Sequence, residues 1–264
     1  MIRSTCFLLL VAGWVEAEDI FTNQFESLVV TRVNNLELKD PHLFFEGFGC
    51  NDITDVLNSN ISNQIQTDTD GDGALDINLL RQFKTDQPVY LVSKSLNSNL
   101  IDGSCAEPLF SSPCTINQIL AEDIQSDYDD ISSCLSPVVG STSAYDPAVE
   151  STQAPCFSTE PTEVIINLNG ISIPLDSFQQ ASRYQGGLIL DQGLLMGFVS
   201  EDIAESIVIP AGTPLVGGST LFDLLPGGGS CSDGDDRDIG PDGVTSGWWF
   251  YFNSTSDLVE LASN

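Results

Sequence analysis

Positive charge is scarce in this chain. Lys and Arg together number 8 against 38 Asp and Glu, a formal charge of −30. Affinity for nucleic acid comes from Lys and Arg neutralising phosphates, so nucleic acid is not an expected partner. Anionic membrane surfaces are disfavoured for the same reason. Histidine is as rare, since His42 is the only one. Any His-based triad would have to use it, and it lies in the apolar stretch Pro41–Phe45, where a satisfied, partly buried imidazole is the ordinary explanation. No Cys-x-x-Cys occurs, which with one His argues against zinc. There is no Gly-x-Ser-x-Gly nucleophile elbow. Gly227-Gly228-Gly229 has no Lys nearby, so it is not a phosphate cradle. No apolar run reaches the ~20 residues that a membrane-spanning helix needs.

What is present points to export. Arg3 gives a basic start, Cys6 to Val15 an apolar core, and Val15-Glu16-Ala17 a small-residue cleavage pattern. Residues 1–17 read as a signal peptide and 18–264 as one secreted domain. The later cysteines are Cys50, Cys105, Cys114, Cys134, Cys156 and Cys231. An even number in an oxidising compartment favours disulfides. Cys105 and Cys114 flank a short Pro-containing loop and form the best local pair. The other partners stay open.

Four carboxylates crowd into Asp68-Thr69-Asp70-Gly71-Asp72-Gly73-Ala74-Leu75-Asp76. They occupy positions 1, 3, 5 and 9 of a loop with Gly at position 6. Ca²⁺ takes six to eight oxygens, and such spacing can turn them toward one point. Asp68, Asp70, Asp72 and Asp76 are the expected side-chain ligands, with Ala74 supplying a carbonyl. Leu79 stands at position 12, where a sensor EF-hand carries its bidentate Glu. The loop therefore resembles those of dockerins and thrombospondin type 3 repeats. A weaker second site is expected at Asp238 and Asp242, ahead of Gly243. There Gly240 takes position 3, and Arg237 adds a positive charge.

The patterning is mainly that of strands. Val29–Val33 and Leu36–Leu38 alternate in part, and Leu43-Phe44-Phe45 follows. Ile53, Val56, Leu57, Ile61 and Ile65 fall on one helical face, predicting one main helix near 51–66 capped by Asn51 or Asp52. Ile77–Phe83 fits helix or strand, and Pro88–Val92 fits a strand. The stretch 97–161 reads as a disulfide-tied loop region. Val164–Leu168 and Ile171–Leu175 flank Asn169-Gly170, a strong hairpin signal. Leu188–Val199 reads as a strand with Gly193 and Gly197 at bulges or close approaches. Ser200–Glu205 predicts a short helix, and Ile207–Pro210 and Trp248–Phe252 predict strands. The aromatic run suits core packing better than sugar stacking. The expected fold is mainly β, sandwich- or barrel-like, with α+β as the alternative.

Pro41–Phe45, Cys50–Thr54, the acidic loop with Leu75–Leu80, Gly193–Phe198, Leu224–Gly229 and Gly247–Asn253 together resemble uncharacterised secreted bacterial proteins that carry such a loop. That resemblance implies export and calcium, and supplies no reaction. The expected function is a secreted or cell-surface calcium-binding protein with a structural or binding role. Extracellular polysaccharide and cell-surface protein are the candidate partners. A polysaccharide-active hydrolase and an apolar-ligand carrier are the alternatives.

Overall fold

A computed structural model describes residues 29–84, 95–168, 170–184 and 190–262. The expected signal peptide and the strand expected at Pro88–Val92 lie outside the described residues. The mainly β expectation holds in its barrel form.

The strands in chain order are β1 (Val29–Asp40), β2 (Phe44–Gly47), β3 (Gly49–Asp52), β4 (Leu79–Lys84), β5 (Ser95–Ser104), β6 (Thr115–Asp129) and β7 (Cys156–Thr159). They continue with β8 (Thr162–Leu168), β9 (Ile171–Tyr184), β10 (Leu190–Ser200), β11 (Asp238–Ile239) and β12 (Ser246–Val259). Eight of them run β1-β4-β5-β6-β7-β9-β10-β12, every neighbour antiparallel, and β12 pairs back onto β1. Closure gives each of these eight strands two neighbours, though β7 meets β6 only at Ser126–Asp129. Hairpin β2–β3, strand β8 against β9 and strand β11 against β12 are additions to this frame.

Register identifies the inner face. Leu38 stands opposite Phe252, Leu36 opposite Ser254 and Thr31 opposite Arg81. Further round, Arg81 faces Leu100, Leu96 faces Ser126, Phe157 faces Ser182, and Leu195 faces both Gln180 and Phe252. Side chains alternate between faces along a strand, so these partners share the interior. The even positions of the aromatic run, Trp248, Phe250 and Phe252, belong to that main core. Its odd positions, Trp249 and Tyr251, pack outward against Leu135, Leu194, Met196 and Phe198. Both tryptophans are buried, so neither offers a sugar-stacking surface.

The main helix α1 spans Thr54–Gln66. The Asp52 carboxylate accepts the Thr54 N–H at 2.9 Å, ahead of an Ile53 cap position that makes no side-chain bond. Ile61 and Ile65 enter the main core beside Leu36 and Leu38, and Leu57 packs at its edge. Val56, expected on the same face, is exposed. Arg32 ties the helix end to the next strand: it donates to the Ile65 carbonyl, to the Ile77 carbonyl at 2.9 Å and to Asn78 Oδ1 at 2.7 Å. A short helix α2, Glu201–Ser206, begins at Ser200 as expected.

Two expectations change, and one open reading is resolved. The stretch 97–161 holds two of the three disulfides, but it is not loop throughout, because β5 and β6 are long strands within it. Both strands are sparse in aliphatics and carry polar residues on buried positions as well, Ser98, Asn99 and Ser126 among them, so alternation does not mark them as strand. Ile77–Phe83 resolves as strand β4 from Leu79 onward. Ile207–Pro210 forms only a single bridge, Val208 to Thr220, because Pro210 ends the pairing. The disulfides join Cys50 to Cys231, Cys105 to Cys114 and Cys134 to Cys156. The expected local pair is among them.

Candidate metal centre at the barrel mouth

The acidic loop begins directly after α1, with Thr67 as the extended residue that closes the helix. Gly71 and Gly73 take φ of 82° and 91°, values that a Cβ would disfavour. Asp68 organises the turn. Its Oδ1 accepts the Gly71 N–H at 2.6 Å and its Oδ2 the Gly73 N–H at 2.7 Å. The Gly73 hydrogen bond leads in holding the Asp68 carboxyl below the usual carboxylate range. Asp76 closes the loop by accepting the Thr69 N–H at 3.1 Å and the Thr69 hydroxyl.

Among the described residues, Asp68, Asp70 and Asp76 can each offer one carboxylate oxygen, and these oxygens lie within 4.8 Å of one another. Asp72 does not join them: its Oδ1 accepts the Ala74 N–H at 2.8 Å. Ala74 is bridged to Ala106, and the Leu75 N–H donates to the Cys105 carbonyl at 2.8 Å. The acidic loop is thus laid against the Cys105–Cys114 disulfide loop.

Glu107 was not foreseen. Its carboxylate accepts the Asp68 N–H at 2.7 Å, and its own N–H donates to the Gly73 carbonyl at 3.2 Å. Nothing in the sequence marks it, because it lies 39 positions from Asp68 and meets the loop only through the disulfide turn. Asp102 was missed for a similar reason. It opposes Leu79 across β4–β5, and burial raises its carboxyl above the usual range.

Asp70, Asp76 and Asp102 line the rim of a cavity of about 470 Å³. Its walls descend through Val33, Leu36, Leu79, Phe178, Leu195 and Phe252, all of them inner-face residues of the barrel. The tip of the β8–β9 hairpin, at Leu168 and Gly170, closes the opposite side. An eight-stranded barrel has an interior just wide enough to be filled by side chains or to hold one small ligand.

The second acidic loop does not repeat this arrangement. Asp242 turns on its own backbone, accepting the Val244 N–H at 2.9 Å, the Thr245 N–H at 2.8 Å and the Thr245 hydroxyl at 2.6 Å. The Thr245 hydroxyl leads in lowering its carboxyl. Asp238 sits on β11, where its carboxylate accepts the Trp249 N–H at 3.3 Å. The two are not gathered with a third ligand among the described residues. Arg237 pairs with Asp235 at 2.8 Å and lies 3.8 Å from Glu201.

Asp238 belongs instead to an acidic group with the buried Asp40 and the half-buried Asp236. Asp40 is 3% exposed and accepts the Ser143 N–H at 2.7 Å. Burial pushes its carboxyl up to about 7, against that hydrogen bond and with help from Asp236 and Asp238. Burial likewise pushes Asp238 up to about 6. Asp236 accepts the Ser143 hydroxyl at 2.5 Å and the Tyr145 hydroxyl. Tyr145 stacks on His42 at 3.7 Å, and His42 Nδ1 lies 2.5 Å from Asp52 Oδ2. The lone histidine is a half-buried, satisfied side chain, with no nucleophile beside it among the hydrogen bonds of the described residues.

The fold and site together define an eight-stranded antiparallel barrel with an acidic rim. No protein-family model, no curated protein and no solved structure matches this chain. The described residues contain no helix long and apolar enough to cross a membrane.

Proposed function

We propose that this chain is a secreted calcium-binding protein in which Ca²⁺ fixes the rim of the barrel. The observation that carries this reading is the convergence of the Asp68, Asp70 and Asp76 carboxylates within 4.8 Å. Like charges gathered at that distance repel one another. A hard divalent cation among them turns that repulsion into attraction and takes oxygen ligands without a redox partner. The three disulfides suit an oxidising compartment, which supports an extracellular site of action. The role of the ion is structural: it holds the loop between α1 and β4 against the β5–β6 turn.

The test is thermal unfolding in millimolar Ca²⁺ and in EDTA, since a ligand that binds only the native state stabilises it by mass action. The wild-type protein is expected to melt higher with Ca²⁺. Asp70→Asn, which keeps the shape and removes one charge, is expected to lose most of that gain. Equal melting temperatures in the two buffers for the wild type would sink the reading.

A second reading, an apolar-ligand carrier, is favoured by one observation. The 470 Å³ cavity behind the acidic rim has largely aliphatic and aromatic walls, and its size falls within the ~300–1,000 Å³ of small-molecule sites.

A further inference from the structure

The barrel wall is unpaired along one seam. β6 pairs with β5 over most of its length but with β7 only at Ser126–Asp129, so from Thr115 to Ile124 its second edge has no ladder among the described residues. β8 follows β7 in the chain and pairs with β9 alone. Strands β6 and β8 lie beside one another without pairing. Register settles which groups of β8 are free. Two residues separate Leu168 from Ile171, so these form a hydrogen-bonded pair, and bonded pairs alternate from there through Ile166 and Ile173. Ile165 and Asn167, opposite Pro174 and Ser172, therefore turn N–H and C=O away from β9, toward the unpaired edge.

The two edges of this hairpin differ. On β9, Pro174 has no N–H to offer an incoming strand, a common way of blunting an edge. β8 carries neither Pro nor Lys, and its Ile165 is 52% exposed. A groove of about 840 Å³ lies along it, bordered by Gln118 and Leu120 of β6 and by Glu163, Ile165 and Asn167 of β8. Farther across the hairpin the same groove reaches Asp176 and Asp242. Three carboxylates thus line it, and no Lys, Arg or His does. Leu120 and Asn167 also line the 470 Å³ cavity, so groove and cavity share that stretch of wall.

We infer that the open edge of β8 docks an extended, cationic segment of a partner protein, which adds as a strand on the β6 side. Main-chain bonds to Ile165 and Asn167 hold it, and side-chain alternation selects it. Partner residues level with the buried Val164 and Ile166 point inward toward Leu120 and are apolar. Those level with Glu163 and Ile165 point outward and are Lys or Arg. Their stems cover Ile165, and their charges meet Glu163 and Asp176. A second copy of this chain is a poor occupant, because each copy carries a formal charge of −30. The inference depends on neither the calcium reading nor the carrier reading.

The probe is a labelled heptapeptide that alternates Lys and Val, with Lys at both ends, read by fluorescence anisotropy on the full chain at physiological salt. A control peptide keeps every charge but has Pro for the central Val. The alternating peptide is expected to bind roughly tenfold or more tighter than the control, as main-chain hydrogen bonds contribute. Amide hydrogen exchange at Ile165 and Asn167 is expected to slow on binding. Ile165→Pro removes an edge N–H without removing a bond to β9, and it changes no charge. It is expected to fold and to bind the alternating peptide no better than the control. Should that variant fail to fold, the control peptide and the exchange of the two amides decide. Equal binding of the two peptides, or unchanged exchange at Ile165, would leave charge attraction alone and overturn the inference. Self-association of the chain by itself, abolished in Ile165→Pro, would overturn the cationic partner in favour of a second copy. No saturable binding at millimolar peptide would also overturn it.

Discussion

Asp40→Asn isolates the electrostatic cost stored beside Ser143. The carboxyl of Asp40 is held near pH 7 in the folded chain against an ordinary value of 3.8. Between those values the folded state binds a proton that the unfolded state has lost. Stability therefore falls as pH rises from about 4 to about 7, and changes little from this group above that. Linkage through this one group gives a loss of roughly 2–3 kcal/mol between pH 5 and pH 8. Asp238, raised to about 6, adds a loss of the same sign. Asn keeps a side-chain oxygen for the Ser143 N–H, now at 2.7 Å, and cannot ionise beside Asp236 and Asp238. The variant should thus gain more stability at pH 8 than at pH 5, by about 2 kcal/mol. Urea unfolding of both proteins at the two pH values, with EDTA throughout to silence cation effects, measures this double difference. Wild-type protein more stable at pH 8 than at pH 5, or an identical pH dependence in the variant, refutes the reasoning.

Further outcomes follow from the same structure. Asp72→Ala should reduce the calcium-dependent rise in melting temperature less than Asp70→Asn does, because Asp72 turns to the Ala74 N–H instead of the shared centre; a larger loss in Asp72→Ala would place that carboxylate on the ion. Replacing Cys50 and Cys231 by Ser opens a loop spanning 181 positions, which chain-entropy arguments value at about 5 kcal/mol, so urea midpoints should fall sharply. Opening Cys134–Cys156, 22 positions apart, should cost less, on the order of 3 kcal/mol, by the same measurement. Gly193→Ala should destabilise by about 1–3 kcal/mol, since a Cβ there meets the Ser254 carbonyl oxygen at 2.8 Å; an unchanged urea midpoint would show that β10 and β12 can separate at that point.

Local features were legible where local physics decides them. The hairpin tip at Asn169-Gly170 joins β8 to β9, with Gly170 at φ 75°, although Asn169 itself lies outside the described residues. The aromatic run became β12 because alternation gave each face a hydrophobic surface to cover. The acidic loop followed helix α1 directly, as its glycines and aspartates required. Other features depended on distant partners. β6 alternates so weakly that it read as loop, and it is a strand because β5 and β7 pair with both its edges. Ile207–Pro210 has the composition of a strand but lacks a neighbour beyond Thr220.

Sequence by itself determined the chemistry available: an excess of carboxylates, six cysteines beyond the N-terminal segment, one histidine, and a loop that crowds four acids into nine residues. These are properties of composition and of contacts within about nine residues, where chain connectivity alone sets the geometry. Tertiary structure decided which groups meet. It joined Cys50 to Cys231, set Glu107 beside Asp68, and placed the acidic loop at the mouth of a cavity. It also set Arg81 against Gln180, 99 positions away, with no ion pair to Arg81 among the described residues. Those pairings follow from the registry of eight strands around a closed barrel, and a register is a property of whole strands meeting, which no local stretch of sequence contains.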